Sequence, residues 1–188
     1  MMEPRQVKSA ADAQVIVEQR GLSHVKVGVF DIDGIMRGKY MSRAKFISAL
    51  ESGYGFCDVV LGWDCQDQLY DNVKFTGWHT GYPDAPVRIL PETCRPLPFE
   101  DDNLFFLSEF TGQAEQICPR GLLRRMIDKA AKLGFKPYAG FEYEVFFFDE
   151  TPESVRAKNY RGLKPMAPGW FGYSVIRNST AAEFYRHM

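Results

Sequence analysis

The chain has 188 residues, with 23 Lys and Arg against 24 Asp and Glu, a formal charge of −1, 45% hydrophobic and 14% aromatic residues. That apolar content excludes a disordered chain, and the balanced charge without a long basic run removes the usual electrostatic basis for binding nucleic acid or an anionic membrane surface. No stretch reaches the roughly 18 apolar residues that span a bilayer, and the N-terminus lacks an apolar signal core, so a cytoplasmic protein handling a small metabolite is expected.

In chain order, Ala10 to Arg20 has helical apolar spacing and ends at Gly21, a suitable C-cap. Val25 to Phe30 is a β-branched run that leads through Asp31-Ile32-Asp33-Gly34 into Ile35 to Met41, a hairpin pattern. Ser42 suits the N-cap of a helix carrying Phe46, Ile47 and Leu50, which Gly53 and Gly55 close. Phe56 to Asp84 has no clear period and predicts a long exposed loop. Val87 to Leu90 and Leu104 to Phe110 predict two more strands, separated by the turn-rich Pro91 to Asp102.

After Cys118, Pro119 suits a first helical turn, and Leu122, Leu123, Met126, Ile127 and Ala130 form an amphipathic stripe that Gly134 ends. Phe135 to Phe148 predicts a strand, Ser154 to Tyr160 a weak helix, Pro165 to Gly172 turns and Tyr173 to Ile176 a short strand. Cys57, Cys65, Cys94 and Cys118 make no CxxC pair and read as ordinary thiols, with neither zinc nor disulfides expected.

Two patterns carry chemistry. In Gly140-Phe141-Glu142-Tyr143-Glu144-Val145, strand alternation sends Glu142 and Glu144 to one face, about 7 Å apart. Two carboxylates that close repel in a partly dry site unless a cation offsets them, and Mg²⁺ or Mn²⁺, which also hold phosphates, are suited to this. An edge strand with a solvated acidic face is the plainer alternative, and the aromatic neighbours argue against it. The second pattern, Val27-Gly28-Val29-Phe30-Asp31-Ile32-Asp33-Gly34, permits a phosphatase of the haloacid-dehalogenase type with Asp31 as nucleophile and Asp33 as acid/base. Against that reading, Ile35 stands where Thr or Val is usual and no later acidic pair follows a strand; aspartates that cap a turn are the preferred role. Arg37 and Lys39 read as a solvated hairpin face, Arg120, Arg124 and Arg125 as the exposed side of a helix, and Trp63, Tyr70, Trp78, His79 and Tyr82 as packing anchors of the long loop.

The GxExEFF-like run, the Pro-Arg helix start before it, the Asp31–Lys39 hairpin and Val87-Arg88-Ile89-Leu90-Pro91 together resemble, in order, the opening of the glutamine synthetase family. The resemblance implies an α+β chain: a β-grasp-like N-terminal domain over residues 1–112, then the incomplete start of an α/β catalytic domain over 113–188. It implies an ATP-dependent ligase that phosphorylates the γ-carboxylate of glutamate and lets ammonia or another amine displace the phosphate. Mg²⁺ or Mn²⁺ would bind at Glu142, beside the ATP phosphates, and at Glu144, beside glutamate. Asp58 or Asp64 would serve the amine side, in a loop that reads Phe56 to Asp64 where ammonia-using members have Asp-Gly-Ser-Ser. Ring-shaped homo-oligomers are implied, and further ligands are expected beyond Met188, so a non-catalytic remnant or interaction module stands as another reading.

Overall fold

The computed structural model describes residues 2–167, 169 and 172–188. It forms two compact units, Met1–Pro137 and Tyr138–Met188.

The first unit is mixed α+β. Its strands are β1 (His24–Phe30), β2 (Met36–Ser42), β3 (Tyr54–Cys57), β4 (Asp84–Ile89), β5 (Arg95–Pro96) and β6 (Leu104–Phe110), with helices α1 (Ala10–Gln19), α2 (Arg43–Ser52) and α3 (Pro119–Lys132). The sheet order is β2-β1-β6-β4-β3, with β5 also on β6. β1 pairs antiparallel with β2, Gly28 opposite Gly38, and parallel with β6, Val27 opposite Phe106. β4 runs antiparallel to both β6 and β3.

Period-two patterning selects the core face: Val25, Val27 and Val29 of β1, Ala85, Val87 and Ile89 of β4, and Leu104, Phe106 and Phe110 of β6 are all buried. Ala13, Ile16 and Val17 of α1 and Phe46 and Ala49 of α2 close over them, and the Phe46 and Phe106 rings lie 4.7 Å apart. Ser9 caps α1 with a reciprocal Asp12 contact, and the Ser42 hydroxyl accepts from Lys45 N–H at the start of α2. Gly53 ends α2 at φ 69°, a left-handed conformation that suits a residue without Cβ. The Tyr54 hydroxyl donates to Ser108 Oγ at 2.9 Å inside the core, and burial pushes its pKa up to about 12.

The predicted elements of this unit are present, with three differences. The region read as a long exposed loop begins in β3 and continues into a 3-10 turn, Asp58–Leu61, whose Asp58, Val60 and Leu61 are buried. β4 starts at Asp84 rather than Val87. A two-residue strand, β5, lies inside the turn-rich stretch. The four cysteines are unbridged, and burial raises the Cys94 thiol to about 11.

The second unit departs further from expectation. Among the described residues, 135–147 are assigned to no strand: Phe148 makes an isolated bridge to Pro165, beside a bond from Met166 N–H to the Phe147 carbonyl at 2.9 Å. A strand needs a neighbour for its N–H and C=O groups, and local aromatic patterning does not supply one. Tyr173 to Ile176 is likewise not a strand, since Val175–Ser179 is a helical turn with Ser174 as its cap. The short helices here are α4 (Pro152–Ala157), α5 (Val175–Ser179) and α6 (Ala182–Arg186). Thr151 and Ser154 cap α4 reciprocally, and Phe147 packs edge-on against Phe184 at 4.7 Å. The turn-rich reading of residues 165–172 extends over Pro168, Trp170 and Phe171, which lie outside the described residues.

Candidate functional site

In the first unit the hairpin turn is built around Asp31, which is fully buried. Its Oδ1 accepts from the N–H groups of Asp33, at 3.0 Å, and Ile35, at 2.7 Å, while Oδ2 accepts from Arg37 Nε at 2.7 Å. This is the turn-capping role; a carboxylate with no exposed surface, and with both oxygens engaged, has no path to attack a phosphate ester. Asp33 is committed elsewhere, accepting from Cys65 N–H at 2.9 Å.

Arg37 is not a solvated residue, in contrast to the sequence reading. Its side chain is 18% exposed and reaches Asp67 at 2.6 Å, the Asp64 carbonyl at 3.4 Å and the face of Trp63, 4.9 Å from the ring centre. Paired carboxylates account for its raised pKa, Asp31 first, through a direct hydrogen bond, and Asp67 after it. Lys39 stays exposed, as the sequence reading has it, while its ammonium donates to the Gly55 carbonyl at 3.2 Å and lies over the Tyr54 and Phe56 rings.

The two aspartates assigned to the amine side part company. Asp58 is buried and accepts from Thr76 Oγ1 at 2.5 Å, so it anchors the loop from beneath. Asp64 is half-buried and its Oδ1 accepts from the N–H groups of Gln66, at 2.8 Å, and Gln68, at 2.9 Å. It shapes a tight turn at the rim of the loop.

A residue that the sequence reading passed over sits on the central strand of the sheet. Glu109 of β6 is 2% exposed and meets Arg88 at 2.5 Å, Arg124, and Arg120 at 3.6 Å. Burial alone would push its pKa up; the hydrogen bonds from Arg88 and Arg124 outweigh that and hold it below the ordinary carboxylate value. Arg124 also reaches Glu115 at 3.2 Å, and Arg125 donates to the carbonyls of Glu115 and Gln116. These arginines therefore bind α3 to the sheet and to the 3-10 turn Gly112–Gln116, with Arg120 and Arg124 half-buried and Arg125 still exposed as the sequence reading has it. The fit depends on Gly121, where an added Cβ would lie 2.3 Å from the Glu115 carbonyl oxygen.

In the second unit Glu142 and Glu144 are both exposed, and their aromatic neighbours Phe141, Tyr143 and Phe146 are 82%, 86% and 71% exposed. The low-dielectric wall inferred from the sequence is therefore not formed around them. Glu144 lines a concavity of about 610 Å³ together with Tyr143, Phe147, Arg177, Asn178 and Tyr185; Glu142 is not among its lining residues. Carboxylate oxygens suit a hard cation, but Mg²⁺ takes about six ligands. Among the described residues no group of three or more His, Cys, Asp or Glu is gathered to hold a metal. The pair is thus a fitting but partial donor set.

Known proteins locate the chain. The sequence profile of the glutamine synthetase catalytic domain matches residues 116–187. A type-1 glutamine synthetase of Dictyostelium discoideum is 45% identical over 85% of this chain and 31% of its own length. A glutamate–isopropylamine ligase of a Pseudomonas species is 29% identical over 97% of this chain and 40% of its own. A γ-glutamylethanolamide synthetase of Streptomyces coelicolor is 30% identical over 84% and 35%. The chain thus spans about a third of the length of the curated relatives it matches. Among solved structures, the Plasmodium falciparum glutamine synthetase shares the fold with a TM-score of 0.51, at 13% identity, over 71% of this chain and 24% of that one. With the catalytic-domain profile on its C-terminal part and a 45% identical relative along most of its length, the chain belongs to the glutamine synthetase family.

Proposed function

We propose that this chain is the opening part of an ATP-dependent ligase that joins the γ-carboxylate of glutamate to ammonia or a larger amine. The observation that carries the reading is the 45% identity to a glutamine synthetase over a stretch that includes both the hairpin and the acidic pair. Relatives named for isopropylamine and ethanolamide products favour keeping the acceptor open among small amines. The sheet of hairpin, covering helix and returning strands, with β1 parallel to β6, is read as a β-grasp domain, and residues beyond it as the first segment of a catalytic domain that further polypeptide completes. Exposed apolar residues in 138–148 support this reading, since a surface of that kind is normally covered.

In this reading Glu142 and Glu144 hold Mg²⁺ or Mn²⁺, and the ions offset charge on the phosphates of ATP. The chain's own task is to present the two carboxylates and to bring Asp64, which is half-buried where Asp58 is buried, to the amine. A cytoplasmic ring of identical subunits accompanies the reading. Among the described residues no helix is long and apolar enough to cross a membrane.

The test uses the polypeptide from the complete reading frame. It should cleave ATP only when glutamate and an amine are both present, and Glu142→Gln and Glu144→Gln should each weaken Mn²⁺ binding, followed by the ion's paramagnetic resonance signal. Unchanged Mn²⁺ binding in both variants would remove the metal assignment, and ATP cleavage indifferent to amine would remove the ligase.

A further inference from the structure

The contacts of Arg37 converge on one short segment. Its guanidinium joins a buried carboxylate of the hairpin, Asp31, to three features of the loop: the Trp63 ring, the Asp64 carbonyl and the Asp67 carboxylate. Two further bonds run in parallel, Cys65 N–H to Asp33 Oδ2 at 2.9 Å and Ile32 N–H to the Val60 carbonyl at 3.2 Å. The loop closes on itself through Asp64 N–H to the Gln68 carbonyl and through a Trp63–Leu69 bridge. Asp67 holds a left-handed φ of 62°, a conformation that costs energy for a residue with a side chain, so the ion pair to Arg37 offsets a local strain.

A planar fork suits this task better than an ammonium does. One edge of the guanidinium serves Asp31, the other reaches Asp64 and Asp67, and its face lies on Trp63; a lysine cannot do all three at once. Because Asp31 is fully buried and tied to the rigid β1–β2 turn, the loop takes its position from the sheet.

We infer that Arg37 is a positioning residue for the amine half-reaction: it sets residues 63–68, and with them the Asp64 side chain, in a single geometry relative to the sheet. The inference rests on the ligase reading above and adds to it the residue that decides how well the amine is held.

Asp67→Asn is the sharpest variant. It removes the charge on the loop side, keeps a residue tolerant of positive φ and leaves the buried Arg37–Asp31 pair intact. In the complete polypeptide the amine KM should rise about tenfold or more, with the KM values for glutamate and ATP within about twofold of the parent, because a displaced positioning group penalises only the reactant it serves. Arg37→Met should give a larger amine effect, and Arg37→Lys should recover part of it. In the 188-residue chain, hydrogen exchange at the amides of residues 64–68 should accelerate in Asp67→Asn while those of β1 and β6 keep their protection. An unchanged amine KM, or an equal rise in all three KM values, overturns the inference even if the parent is an amine-dependent ligase. If the parent turns over ATP without any dependence on amine, the ligase reading fails and the inference falls with it, whatever the exchange experiment shows of the loop.

Discussion

The two units of this chain carry similar residues to opposite ends. In the first, Val25, Val27, Val29, Phe46, Phe106 and Phe110 are enclosed, and buried charges such as Asp31 and Glu109 meet arginines. In the second, the run Phe141 to Phe148 is as rich in aromatic residues, yet among the described residues from Leu122 to Met188 none is buried. The difference lies in partners and not in composition. β6 has β1 on one side and β4 and β5 on the other, whereas among the described residues 135–147 belong to no strand. Apolar side chains stabilise a fold only when a second surface removes them from water.

Large-to-small substitution should expose that contrast most directly. Phe106→Ala empties a fully enclosed site and should cost about 3–5 kcal/mol in urea unfolding, whereas Phe141→Ala in the same chain should stay within about 0.5 kcal/mol. Equal effects would mean that the second unit has a core of its own. Glu109→Gln comes next, at about 3 kcal/mol, because it leaves Arg88, Arg120 and Arg124 crowded around a neutral group. A loss under about 1 kcal/mol would show that water already screens the cluster. Gly121→Ala should cost about 1–3 kcal/mol by prising α3 off the Glu115 carbonyl, and a neutral result would show that the helix slides to make room.

The smallest effect concerns pH and belongs to the second unit. Hydrogen bonds from Lys158, Ser154 and the Lys164 N–H lower the Glu150 pKa to about 2, against an ordinary 4.5. A depressed carboxylate pKa contributes stability above the ordinary value and loses it as pH falls through the folded one. Helical order in α4 should therefore hold down to about pH 4.5 and decline toward pH 2, followed by hydrogen exchange at residues 152–158. Lys158→Ala should move that decline to higher pH; an unmoved profile would detach α4 from Glu150.

What the sequence made legible follows the same division. The hairpin, α2, β6 and α3 are all written in local patterns: alternation in Val25-Lys26-Val27-Gly28-Val29, a serine cap at Ser42, and a proline start with an amphipathic stripe from Pro119. β3 was missed because Tyr54-Gly55-Phe56-Cys57 is short and glycine-interrupted, and pairing with β4 is what makes it a strand. Phe135 to Phe148 failed for the converse reason, since it has the pattern but, among the described residues, pairs only through the isolated bridge at Phe148. Among the functional residues, the turn-capping role of Asp31 was visible in the Asp-Ile-Asp-Gly run. Arg37 was taken for a solvated residue because its partners, Asp64 and Asp67, lie across a loop whose path the sequence does not state. Glu109 gave a faint sign, a lone acid between Ser108 and Phe110 on the face opposite the core. Only the cross-strand register with Arg88 reveals what that sign means.

The parallel contact between β1 and β6 has a consequence for biogenesis. Residues near position 27 must wait for residues near position 106 to emerge, and the late arrival is the central strand of the sheet. Until then the nascent chain carries two half-sheets, β1–β2 and β3–β4, each with a bare edge open to wrong pairing. The closing of that gap, about eighty residues into the wait, is where folding of this unit would be slowest and where a holding chaperone would matter most.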